Sequence, residues 1–123
     1  MGVVHVDSGV LIGLLDRNDA HHEAAHAVLR RVRAAHHRLA MSAVAYAECM
    51  VAPSRAGDAA GRVVAALFER LPITVEPLGE DAALLAARLR AEHRSLRLPD
   101  ALVIAAAVVG SAGELLTTDQ RWP

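Results

Sequence analysis

Residues 3–15 read Val3-Val4-His5-Val6-Asp7-Ser8-Gly9-Val10-Leu11-Ile12-Gly13-Leu14-Leu15. The β-branched run Val3 to Val6 favours an extended chain, and the mainly apolar stretch after Asp7 suits a helix. A strand that runs straight into a helix through one acidic residue opens an α/β sheet, and the rest of the chain repeats the alternation. Asp16-Arg17-Asn18 makes a turn, and Asp19 is placed to cap a helix reaching about His36, with Ala24, Val28 and Val32 on one face. A weak strand near Arg38–Met41 precedes Ser42, which can cap a helix from Ala43 to Ala52; Pro53 and Ser54 are expected to end it. Ala60, Val63, Val64, Leu67 and Leu71 then recur at helical spacing. Ile73–Val75 reads as a strand, Gly79–Ser95 as a helix through Ala82, Leu85, Ala86 and Leu89, and Leu98-Pro99-Asp100 opens a wholly apolar helix. Glu114–Thr117 is the last strand. Strands separated by helices imply a parallel sheet of four to five strands in a three-layer α/β/α domain spanning 1–123.

Composition fits that architecture and narrows the function. The 123 residues are 54% hydrophobic and 22% charged, enough for one packed core and too apolar for disorder. Only Tyr46, Phe68 and Trp122 are aromatic, so binding by base stacking on several rings is excluded. The single Cys49 cannot form an internal disulfide and reads as a small buried thiol in a reducing compartment. The apolar start lacks a basic leader and carries Asp7, and the run Ala101–Gly110 is about half of the roughly 20 residues that cross a bilayer. A cytoplasmic protein is expected. The formal net charge is −1 and every basic residue is Arg, the side chain best suited to bidentate phosphate contact.

Most acidic residues, such as Asp16, Asp19, Glu80, Asp81 and Glu92, lie among polar neighbours. Four do not. Asp7 stands between VVHV and an apolar helix, Glu48 is the only charge between Ala43 and Ala52, Asp100 opens DALVIAAAVV, and Asp119 follows GELLTT. Ionised carboxylates beside core segments are costly unless paired, capping or metal-bound. The chain has no Lys, and no Arg stands in register with Asp7, Glu48 or Asp100. Singly, each has an ordinary explanation: Asp7 and Asp100 as helix caps, Asp119 in a turn, Glu48 on a wet helix face. Jointly, they fall at strand ends and helix starts, which share one edge of a parallel sheet. Four carboxylates gathered there repel each other unless a cation intervenes, and oxygen-only ligands favour Mg²⁺ or Mn²⁺ over zinc. Such a site suits phosphodiester hydrolysis. With two such ions bound, the chain would be net positive. Without metal, the same repulsion predicts that Asp100→Asn stabilises the fold.

Asp7-Ser8 with Leu14-Leu15-Asp16, then Ser42 with Glu48, then Leu98-Pro99-Asp100-Ala101-Leu102-Val103-Ile104-Ala105-Ala106-Ala107, and Leu115-Leu116-Thr117-Thr118-Asp119 follow one another along nearly the whole chain. This order resembles the PIN-domain ribonucleases, and within them the VapC-type toxins of bacterial toxin–antitoxin pairs. The resemblance implies that Asp7, Glu48, Asp100 and Asp119 surround Mg²⁺ or Mn²⁺, with Asp7 and Asp100 the most direct ligands. Ser8 and Thr117 would support those carboxylates by hydrogen bonds. It further implies endonucleolytic cleavage of RNA, often a tRNA or ribosomal RNA, a homodimer, and an antitoxin that covers the acidic cleft. Two positions depart from the pattern: Gly9 replaces a second hydroxyl residue, and the chain ends at Pro123, where relatives usually continue into another short strand.

Other readings remain beside it. His22-Glu23-Ala24-Ala25-His26 satisfies the zinc-protease pattern H-E-x-x-H, but Leu29 and Val32 stand where its extended form needs Gly and a third His. A catalytically inactive RNA- or protein-binding module is a second alternative. A phospho-Asp phosphatase is a third, weakened by Gly9 where a second Asp is usual. Two arginine clusters, Arg30/Arg31/Arg33/Arg38 and Arg88/Arg90/Arg94/Arg97, are solvated faces unless one flanks the acidic cleft, where it would hold RNA phosphates.

Overall fold

A computed structural model describes residues 2–117. Strand β1 (Val3–Val6) leads into helix α1 (Ser8–Leu15); α2 (His22–Ala34), β2 (Arg38–Ser42), α3 (Ala43–Ala56), α4 (Asp58–Arg70), β3 (Ile73–Glu76), α5 (Glu80–Glu92), α6 (Leu98–Val109) and β4 (Glu114–Leu116) follow. The four strands form a sheet in the order β3-β2-β1-β4, and every pair is parallel. Because β1 lies between β2 and β4, the chain builds outward on one side through β2 and β3 and returns on the other with β4. A crevice at the carboxyl ends of such strands is where open α/β sheets take ligands.

Alternation along the strands sorts the core. Val4 and Val6 on β1, Leu39 and Met41 on β2 and Ile73 on β3 join Val10, Leu11, Ala25, Leu29, Val32, Ala45, Cys49 and Leu67 in one buried cluster. Full burial of a side chain such as Leu11 or Met41 stabilises the fold by about 1.5–3 kcal/mol. A second cluster is made almost wholly of alanines, Ala82 and Ala86 of α5 against Ala101 and Ala105 of α6, with Leu96 from the connection. Leu85, Leu89, Leu102 and Ile104 pack against it from the same two helices. His5 sits on the other face of β1 from Val4 and Val6, where the end of α6 comes so near that a Cβ on Gly110 would lie 3.3 Å from Nε2.

Three sequence expectations are corrected. Pro53 does not end α3; the helix runs through it to Ala56 and stops at Gly57, whose φ of +110° only glycine tolerates. Pro53 falls near the carboxyl end of the helix, and its own carbonyl still accepts from Gly57 N–H at 3.1 Å. Asp19 does not cap α2: it accepts from His21 N–H at 2.8 Å inside the preceding turn, and His21 occupies the cap without a side-chain bond. The buried stripe of α2 is Ala25, Leu29 and Val32, with Ala24 exposed, and Val63 of α4 is 60% exposed. In both helices several registers of apolar residues exist, and the larger Leu29 and Leu67 take the inward positions.

Candidate active site

Asp7 is the first residue beyond β1. Its backbone N–H donates to Leu116 O of β4 at 2.9 Å, which ties it to the sheet. The side chain is buried, and its two oxygens have separate donors: Ser8 N–H to Oδ1 at 2.8 Å and Thr117 Oγ1–H to Oδ2 at 3.0 Å. Thr117 stands at the end of β4, so the β1–β4 pairing delivers the hydroxyl. Ser8 meets Asp7 through its backbone N–H.

Glu48 is on α3, whose start is fixed by Ser42: its Oγ accepts from Ala45 N–H at 3.1 Å. Glu48 is exposed on one side, yet its carboxyl pKa is raised. Partial burial is the largest cause, followed by the negative charges of Asp7 and then Asp100, while Arg97 opposes the shift. Three carboxylates from α3, the end of β1 and the start of α6 therefore act within one electrostatic field.

Asp100 lies in the first turn of α6, entered through Leu98 and Pro99, where the fixed φ of proline is suited to a helix start. It is buried, and Arg97 Nε donates to Oδ2 at 3.1 Å. This overturns the expectation that no arginine stands in register with the acidic residues. Arg97 precedes Asp100 by three positions, the spacing at which helical side chains meet. The signal was present in the sequence and was masked by reading Arg97 as part of a solvated cluster. Of the first arginine cluster, Arg31 pairs instead with Glu114 at 2.8 Å on the surface. Asp119 lies outside the described residues.

The donor set is oxygen alone, and the Glu48 pKa is raised by burial first and then by the charges of Asp7 and Asp100. Both properties fit a hard divalent cation. Among the described residues no three His, Cys, Asp or Glu side chains are already arranged to hold a metal ion. Asp7 accepts from Ser8 and Thr117, and Asp100 from Arg97, so donors within the chain orient each carboxylate. The zinc-protease pair has no comparable fit: His22 Nδ1 contacts Gly13 O at 2.8 Å, docking α2 onto α1, and the His22 and His26 rings meet edge to face.

A separate cleft of about 540 Å³ lies among α1, α2 and α4. Leucines 14, 15, 29, 67 and 71 form its floor, Arg17, Arg30, Arg33 and Arg70 its rim, and Asp7, Glu48 and Asp100 do not line it. Cys49 is buried; its Sγ donates to Tyr46 O at 3.2 Å, and burial pushes the thiol pKa up to about 11, so it is a core residue and no nucleophile. No helix among the described residues is long and apolar enough to cross a membrane.

No curated protein matches the chain. Solved structures do. The Mycobacterium tuberculosis toxin VapC20, described as cleaving the sarcin–ricin loop, superposes with a TM-score of 0.73 at 21% identity, over 95% of this chain and 90% of that one. A toxin–antitoxin complex from Klebsiella pneumoniae gives 0.71 at 25% identity over 94% and 86%. VapBC2 from Rickettsia felis, bound to a promoter DNA fragment, gives 0.77 at 14% identity over 95% and 88%. The PIN-domain family model matches residues 4–123. With its parallel sheet ordered around β1 and this match across nearly its full length, the chain belongs to the PIN-domain family.

Proposed function

We propose that this chain is a metal-dependent endoribonuclease and the toxin of a toxin–antitoxin pair. One observation carries the reading: the carboxylate of Glu48 lies in the field of both Asp7 and Asp100, although the three come from distant parts of the sequence. Mg²⁺ or Mn²⁺ would be held by Asp7, Glu48 and Asp100, with Asp119 as the fourth acidic residue. When bound, such an ion supplies activation of water and neutralises charge at the phosphoryl oxygens during in-line displacement.

The chain's own residues prepare that site. The Ser8 N–H and the Thr117 hydroxyl fix both oxygens of Asp7, which limits its rotation about the cleft. The short β1–α1 junction leaves no slack in Asp7, and Pro99 sets the direction in which α6 presents Asp100. Glu48 enters from α3 and supplies the negative charge that a cation relieves. The likeness to toxins from toxin–antitoxin pairs supports RNA as substrate, a tRNA or ribosomal RNA, and an antitoxin as partner. The arginine-rimmed, leucine-floored cleft complements an acidic amphipathic segment of such a partner. A homodimer in the cytoplasm belongs to the same proposal.

The test is incubation with total cellular RNA in Mn²⁺, in Mg²⁺ and in chelator, followed by mapping of the cut ends. Cleavage is expected only with metal, and Asp7→Asn or Asp100→Asn should lower it at least about a hundredfold while the circular dichroism spectrum is retained. Undiminished cutting by either variant, or cutting in chelator, would remove the assignment. Absence of any cleavage by the wild type would favour the inactive binding module.

A further inference from the structure

Resting on the metal-dependent reading, we propose that Arg97 is a positioning residue of the site. Its guanidinium serves as an internal counter-ion on Asp100, yields that carboxylate to the incoming divalent cation, and then contacts a backbone phosphate of the RNA.

Arg97 is placed against the usual electrostatics of a helix start. It occupies the N-cap of α6 in an extended conformation and makes no capping bond with its side chain. A cation at that end is opposed by the helix dipole, which favours anions there. Its favourable contact is Asp100, through Nε at 3.1 Å. The two partners differ sharply in exposure: the Asp100 side chain is 9% accessible and the Arg97 side chain 58%. The carboxylate is therefore buried while most of the arginine side chain is in water. A solvent-accessible fork of N–H groups beside an acidic residue is suited to phosphate oxygens.

A tethered single charge and a divalent ion compete for the same oxygen of Asp100. Removing the arginine charge should tighten metal binding and weaken RNA binding, two effects of opposite direction. An arginine that merely anchored the helix would weaken both or change neither.

The experiment compares wild type with Arg97→Gln and Arg97→Lys. MnCl₂ is titrated by calorimetry without RNA, and a fluorescent single-stranded RNA is titrated in saturating CaCl₂, with its intactness checked on a gel. Arg97→Met, which keeps an apolar stem, replaces the Gln variant if that one melts early. The uncharged variant should bind Mn²⁺ about three- to tenfold more tightly and RNA at least about threefold more weakly. The Lys variant, which keeps the charge, should stay within about twofold of wild type for Mn²⁺. Equal or weaker Mn²⁺ binding by the uncharged variant, or unchanged RNA affinity, overturns the inference alone. If the wild type binds no Mn²⁺, the metal assignment falls and the inference with it.

Discussion

At the scale of single residues, Glu48 and His5 are titratable groups set against their surroundings in different ways. The folded pKa of Glu48 lies above its ordinary 4.5 through partial burial, Asp7 and Asp100. The folded state therefore binds the proton more readily than the unfolded chain. Its ionisation weakens the fold as pH rises from about that value through the raised folded pKa. Glu48→Gln should raise the metal-free melting temperature near neutrality by about 1–3 °C, a small gain because the side chain is largely in water, and saturating Mn²⁺ should erase it. A lower metal-free melting temperature would contradict the crowding on which the site rests. Asp100→Asn, which the sequence alone marked as stabilising, loses that expectation because Arg97 already compensates the charge.

His5 runs the other way. Burial pushes its pKa down, against a smaller upward pull from Glu76, and its Nδ1 has no partner among the described residues. The folded state keeps the ring neutral while the unfolded chain protonates near 6.5, so stability declines as pH falls below that value. His5→Leu should flatten that decline and add about 1 kcal/mol at neutral pH by removing an unsatisfied polar group. Urea midpoints at about pH 7 and about pH 5.5 measure both, and an unaltered slope would count against it.

Among the elements, the strand-to-helix junctions were the most legible, because β-branched runs ending in Asp7 or Ser42 carry both the extended signal and a cap. All four strands lie within a residue or two of their expected positions, and the parallel α/β architecture follows from their alternation with helices. Helix ends and helix faces were less legible. Pro53 looked like a stop, whereas Gly57, with open space around it and φ of +110°, is the true one. Gly57→Ala should cost about 1–3 kcal/mol in a denaturant titration, since backbone strain is its sole penalty there. A neutral result would mean that the α3–α4 junction relaxes. The face of α2 could not be fixed from spacing because Ala, Val and Leu occur in adjacent registers, and only packing chooses between them.

Over the whole molecule, the sequence named the acidic residues, but the pairing of Asp100 with Arg97 required the folded first turn of α6, and Asp119 lies outside the described residues. Long-range convergence of Asp7, Glu48 and Asp100 is a property of strand order, which no local pattern contains. The formal charge of −1 likewise hides a sorting of charge: carboxylates at the strand ends and an arginine rim around the cleft among α1, α2 and α4. Reversing that rim with Arg30→Glu and Arg33→Glu together should weaken capture of the cognate antitoxin by at least about tenfold in a calorimetric titration. Unchanged affinity would move the partner to another face.

The alanine seam between α5 and α6 has a further consequence. Asp100 is carried at one end of a helix packed on its neighbour with buried alanines at positions 82, 86, 101 and 105. Successively larger side chains at position 105 would wedge that hairpin outward by increasing fractions of an ångström and drag the acid with it. Phosphoryl chemistry punishes small misplacements steeply but continuously. The proposed nuclease activity would thus be tuned down by degrees through packing, with no change to any group that meets the substrate.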